Sequence, residues 1–93
     1  MDIKHKENEK KFCMDVDGGE CTLNYKELNE RLWDFESLDI PDNLPEKSFI
    51  ENIIEYAINF VREHDIKILA TSSDVQDFLV NHKDFKNIVY HPY

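Results

Sequence analysis

Apolar and polar positions alternate with a period of two through Lys11-Phe12-Cys13-Met14-Asp15-Val16, then meet the turn residues Asp17-Gly18-Gly19. The alternation resumes in Cys21-Thr22-Leu23-Asn24-Tyr25. Two alternating runs around paired glycines predict a hairpin, because glycine reaches the positive backbone angles of a tight reversal. A third extended run spans Arg31-Leu32-Trp33-Asp34-Phe35-Glu36-Ser37-Leu38 and stops before Pro41, which cannot donate to a sheet ladder. The period then changes. Ile50, Ile53, Ile54, Ala57, Ile58 and Val61 recur at i, i+3, i+4 and i+7, the stripe of an amphipathic helix that Tyr56 and Phe60 widen. Ser48 and Glu51 have the spacing of a capping box, and the helix is expected to end near His64-Asp65. Lys67-Ile68-Leu69-Ala70-Thr71 predicts a buried strand. Ser73 or Asp74 then caps a short helix with Val75, Phe78 and Leu79 inward, and Phe85–Tyr90 carries enough apolar bulk to dock on the core.

The expected order is β-β-β-α-β-α, an α+β fold whose mixed, mostly antiparallel sheet is covered by helices, with a crossover through the long helix. A length of 93 residues suits one domain over 1–93. No apolar run is long enough for a bilayer, and the charged start is unlike a secretion signal, so a cytoplasmic chain is expected. The net charge of −9 argues against nucleic-acid binding, which requires clustered lysine and arginine. Lys4, Lys6, Lys10 and Lys11 form the one basic cluster, and Glu7 and Glu9 dilute it. Cys13 and Cys21 flank the hairpin turn, which leaves either a disulfide or two reduced thiols, the thiols being usual in cytosol. The four histidines show no metal-ligand spacing, and His5 and His91 are assigned to mobile ends.

Phe12 with Gly18-Gly19, the strand ending Asp39-Ile40-Pro41, the helix from Ser48, the run Ile68-Leu69-Ala70-Thr71-Ser72 and the stretch Phe78–Phe85 occur in an order that resembles a known family. The chain is similar to the small single-domain members of the GNAT N-acetyltransferase superfamily, the YjdJ-like group. That resemblance implies a GNAT-like fold, acetyl-CoA as cofactor, and direct acetyl transfer to an amine on a small molecule or protein. It places the cofactor pyrophosphate at the start of the long helix, on a loop of pattern Arg-Gly-x-Gly-x-Gly/Ala. Here those positions read Pro45, Glu46, Lys47, Ser48, Phe49 and Ile50. Proline removes an amide donor, the glutamate repels phosphate, and isoleucine fills space that glycine leaves open. Each charged amide–phosphate contact is worth roughly 1.5–3 kcal/mol. The substitutions together are therefore expected to weaken coenzyme binding on the order of a thousandfold.

The resemblance also places the thioester beside Leu69 and Thr71, with Ser72 where the group carries a cysteine and Ser37-Leu38 where it carries His-Thr. His82 matches a family histidine, so Ser72 and His82 are the catalytic candidates, with the amine entering beside Phe35 and Ser37. Each has a plainer reading: Ser72 as a helix cap, His82 as a cation at a helix end, Trp33 and Phe35 as core. Tyr25 and Tyr56 are general-acid candidates that equally suit packing. The acidic row Asp34, Glu36, Asp39 and Asp42 fits either a cationic substrate or a solvated edge strand. A noncatalytic interaction module, monomeric or weakly dimeric, with an acidic face for a basic partner is the rival to the enzyme.

Overall fold

The computed structural model describes residues 3–16, 19–41 and 47–90; the Asp17-Gly18 turn and the stretch Asp42–Glu46 lie outside them, as does His91. Five strands form one sheet in sequence order: β1 (Ile3–Lys6), β2 (Lys11–Val16), β3 (Gly19–Asn29), β4 (Leu32–Asp39) and β5 (Lys67–Ala70). The first four are antiparallel, and β4 and β5 are parallel, joined by α1 (Lys47–Glu63). Parallel neighbours require such a crossover. A second helix, α2 (Ser73–Asn81), and a 3-10 segment, Lys83–Ile88, complete the described chain.

The expected hairpin forms with Val16 opposite Gly19 and Phe12 opposite Leu23. Because side chains alternate across a strand, Phe12 and Met14 point to one face and Cys13 to the other. Cys21 lies opposite Met14 and belongs to the core cluster, whereas Cys13 does not. Both thiols are free and buried, and the sheet itself stands between them. That geometry settles the sulfur chemistry against a disulfide.

Phe12, Leu23, Phe35, Ile53, Ile58 and Ile68 are completely buried between the sheet and α1. The helical stripe is buried along Ile53, Ile54, Ala57, Ile58 and Val61, although Tyr56 remains exposed. The helix opens at Lys47, so Ser48 lies inside its first turn rather than capping it. It closes where Asp65 adopts a left-handed φ of 56° and Ile66 N–H returns to the Val61 carbonyl at 2.8 Å.

Two expectations are corrected. His5 is no mobile end: it sits in β1, paired with Phe12. The signal was present in Ile3-Lys4-His5-Lys6, where charged residues alternate with bulkier inward ones. The edge-strand reading of the acidic row fails at Asp34, where β4 lies between β3 and β5; Glu36 and Asp39 lie beyond the pairing with β5 and are exposed.

Gly19 opens β3 against the ring that follows β4. A Cβ there would stand 2.9 Å from Pro41 Cγ, closer than carbon atoms approach without displacement. The proline ring cannot swing away, so Gly19→Ala is expected to cost about 1–2 kcal/mol, read from urea unfolding midpoints.

Candidate active site

The site begins where two parallel strands part. Pairing of β4 with β5 runs from Leu32–Lys67 to Phe35–Ala70 and goes no further. The next main-chain contact, Ser72 N–H to the Phe35 carbonyl at 3.0 Å, belongs to a chain already turning into α2. On its other side β4 shifts register against β3: Tyr25 faces Phe35, but Asn24 faces Ser37. Glu36 is thus the extra residue of a bulge, which bends the strand and increases its twist. Beyond it, Ser37–Asp39 stay paired to β3 while no described strand covers their opposite side.

Side chains fix the β5 end of this opening. Asp34 accepts from Thr71 twice, from its N–H at 3.1 Å and from its hydroxyl at 2.8 Å. Ser72 is buried, and its hydroxyl accepts from Val75 N–H at 3.4 Å as the cap of α2. Gln76 donates to the Ala70 carbonyl at 2.7 Å. Leu69 pairs with Asp34 one step before the strands separate. These contacts hold Leu69, Thr71 and Ser72 together at one edge of the opening, with Ser72 engaged by the helix it starts. Phe35 is completely buried and cannot face a substrate, whereas Ser37 is exposed and accepts from Asn24 at 3.1 Å. Asn24 also donates to Asp39 at 3.0 Å.

The remaining candidates lie on the helices. Lys47 opens α1, Ser48 is exposed in its first turn, and Phe49 and Ile50 pack against the core. Pro45 and Glu46 fall outside the described residues. His82 stands at the far end of α2 from Ser72, and the nine residues of helix between them hold the two about 15 Å apart. The fold therefore does not bring the two together as nucleophile and base. His82 stacks on Phe78 at 4.0 Å, and its Nδ1 donates to the Phe78 carbonyl at 2.8 Å. Its Nε2 lies 3.5 Å from Glu51 Oε2, so the ring bridges the two helices.

Between those helices runs a groove of about 300 Å³ that includes Ile50, Glu51, Asp74, Asp77 and His82. Three carboxylates line it, and among the described residues no lysine or arginine does. An anion entering there is repelled, whereas the parted strands offer uncharged main chain. The described walls of the groove are therefore acidic, and the main chain at the parted strands carries no charge. No group of three or more His, Cys, Asp or Glu side chains among the described residues converges as metal ligands do. No described helix is long and apolar enough to cross a membrane.

Elsewhere on the sheet Tyr25, a general-acid candidate from the sequence, meets a partner that the sequence did not assign to it. His5 Nε2 and the Tyr25 hydroxyl are 2.6 Å apart, both within an aromatic stack. Burial lowers the His5 pKa, opposed by Glu7 and Glu27 and assisted by His64 and Lys10. Burial also raises Tyr25 to about 12, with Glu27 and Glu7 adding to it. A neutral imidazole with a free Nε2 lone pair therefore accepts a hydrogen bond from the Tyr25 hydroxyl.

Solved structures include a chain of similar shape. An NMR solution structure of a GCN5-like candidate N-acetyltransferase from Staphylococcus aureus matches 99% of this chain and 90% of its own, with a TM-score of 0.74 and 17% identity. Neither a protein-family model nor a curated protein matches the sequence. The likeness establishes a GNAT-like fold.

Proposed function

We propose that this chain is an N-acetyltransferase-like protein that receives acetyl-CoA at the parted ends of β4 and β5 and passes its acetyl group to an amine. One observation carries the reading: parallel pairing stops at Phe35–Ala70 beside the bulge at Glu36, on a GNAT-like scaffold. An extended arm can pair with the uncovered main chain of Ser37–Asp39 as an added strand would. Acetyl-CoA, when bound, supplies an acetyl group activated as a thioester. Direct transfer requires a polarised carbonyl and a neutral amine but no protein nucleophile. The capping role of Ser72 is therefore compatible with activity.

Binding is expected to be weak, because Glu51, Asp74 and Asp77 oppose the diphosphate. Thermal melting with acetyl-CoA tests this: a ligand at a hundred times its dissociation constant stabilises by about 2.7 kcal/mol. Asp74→Asn and Asp77→Asn should each strengthen binding, roughly fivefold for a relieved repulsion near 1 kcal/mol. No stabilisation at millimolar ligand, in wild type and in both variants, ends the acetyl-CoA reading.

A second reading, a noncatalytic interaction module for a basic partner, is favoured by those same three carboxylates. Under it the melting point ignores acetyl-CoA even after the acids are neutralised.

A further inference from the structure

Arg31 and Arg62 are the only arginines in this acidic chain, and both line one cavity. Its volume is about 500 Å³, and Lys67 joins them on its wall with Ile66, Phe85 and Ile88. The cavity lies at the Leu32–Lys67 end of the parallel pair, away from the parted ends of β4 and β5. Its position and its charge set it apart from the carboxylate-lined groove.

Each basic residue is anchored, Arg31 through its main chain and the other two through their side chains. The Arg31 main chain is anchored twice, by Asn29 Oδ1 accepting from its N–H at 2.8 Å and by its carbonyl accepting from Lys67 N–H at 2.8 Å. Among the described residues its guanidinium has no hydrogen-bond or ion-pair partner. Arg62 occupies the last turn of α1, where the helix dipole favours a cation. Its guanidinium carbon lies 5.2 Å from the Phe85 ring centroid, and Nη2 donates to Asn59 Oδ1 at 2.6 Å. A guanidinium held against a ring keeps in-plane donors for a planar oxyanion. Lys67 Nζ donates to the Asn87 carbonyl, which fixes the ammonium at the rim.

Asp65 and Asp84 also line the cavity. Neither forms an ion pair with Arg31, Arg62 or Lys67. Three cations against two anions leave a positive excess in a molecule whose net charge is −9. The cations therefore converge against the average field of the chain, beside an apolar surface made by Ile66, Phe85 and Ile88.

We propose that this cavity binds a small amphiphilic oxyanion, a carboxylate or phosphate monoester carried on a compact apolar group. The guanidinium groups take the oxyanion, and Phe85 with the two isoleucines takes the apolar body. This site goes beyond acetyl-CoA binding and does not depend on it.

Amide NMR titration of the full chain with phenyl phosphate and with benzoate provides the test. Saturable shifts at Ile66, Lys67 and Phe85–Ile88 with either probe are expected. Arg31→Ala and Arg62→Ala should each weaken binding about tenfold or more, the loss of a charged hydrogen bond. Lys26→Ala, an exposed charge on β3 outside the cavity, should leave it unchanged within about twofold. Four outcomes overturn the proposal: no saturation by either probe, equal affinity for inorganic phosphate, equal affinity for benzyl alcohol, or arginine variants that bind as wild type does.

Discussion

Phe12→Ala is expected to lower the unfolding free energy by about 3–5 kcal/mol, the usual cost of deleting a buried phenyl group. Phe12 is completely buried, and its ring meets His5 at 4.1 Å, Phe60 at 5.8 Å, Tyr25 at 5.6 Å and Phe35 at 6.5 Å. These rings come from β1, β3, β4 and α1, so Phe12 on β2 joins four other elements at one point. Collapse around the vacancy is hindered because strand pairing fixes Phe12 between His5 and Leu23. Domains of this size are stable by about 5–15 kcal/mol, so the variant should lose a large share of its margin. Urea unfolding followed by circular dichroism measures it. A loss under about 1 kcal/mol would mean that the aromatic stack repacks and is not the centre of the core.

The fold was legible because its two periods are clean. Alternation placed β2, β3 and β4, and the isoleucine stripe placed α1, since both patterns report which side of an element is buried. β1 was missed because its four residues contain one strongly apolar side chain, and the imidazole of His5 does duty as another. The Ser48-Glu51 capping box does not mark the start of α1, which opens at Lys47, because spacing alone cannot say where helical dihedrals begin.

The candidate site was less legible. The end of pairing at Phe35–Ala70 and the bulge at Glu36 are properties of register, and no single residue type marks them. Ser72 shows the reverse: the sequence offered both a chemical and a capping role, and local geometry supplies the cap. Arg31, Arg62 and Lys67 are spread over 36 positions of sequence, so only the meeting of the β3–β4 turn, the end of α1 and the start of β5 brings them to one cavity.

Alkaline destabilisation should be steeper than that of a chain without Tyr25. Tyr25 is 3% exposed and its phenol is held to about 12, against an unfolded value of 10. Between those pH values the unfolded chain releases the proton while the folded chain keeps it, so stability falls as pH rises. Two pKa units correspond to about 2–3 kcal/mol, fully present below pH 10 and lost by about pH 12. His5 acts at the other end of the scale. Burial holds its pKa below 6.5, so the unfolded state takes up a proton first as pH falls. Stability then declines from about pH 6.5 down to the folded pKa and is level below it. Lys10, whose Nζ lies 2.7 Å from Glu27 Oε1, and His64 face the same pair and shape these slopes. Tyr25→Phe removes the alkaline component and leaves His5 Nε2 without its donor, which costs about 1–3 kcal/mol near neutrality. Urea midpoints of wild type and Tyr25→Phe should therefore converge as pH rises through that window. Curves that stay parallel from about pH 9 to 12 would show that the phenol is not held by its burial against His5.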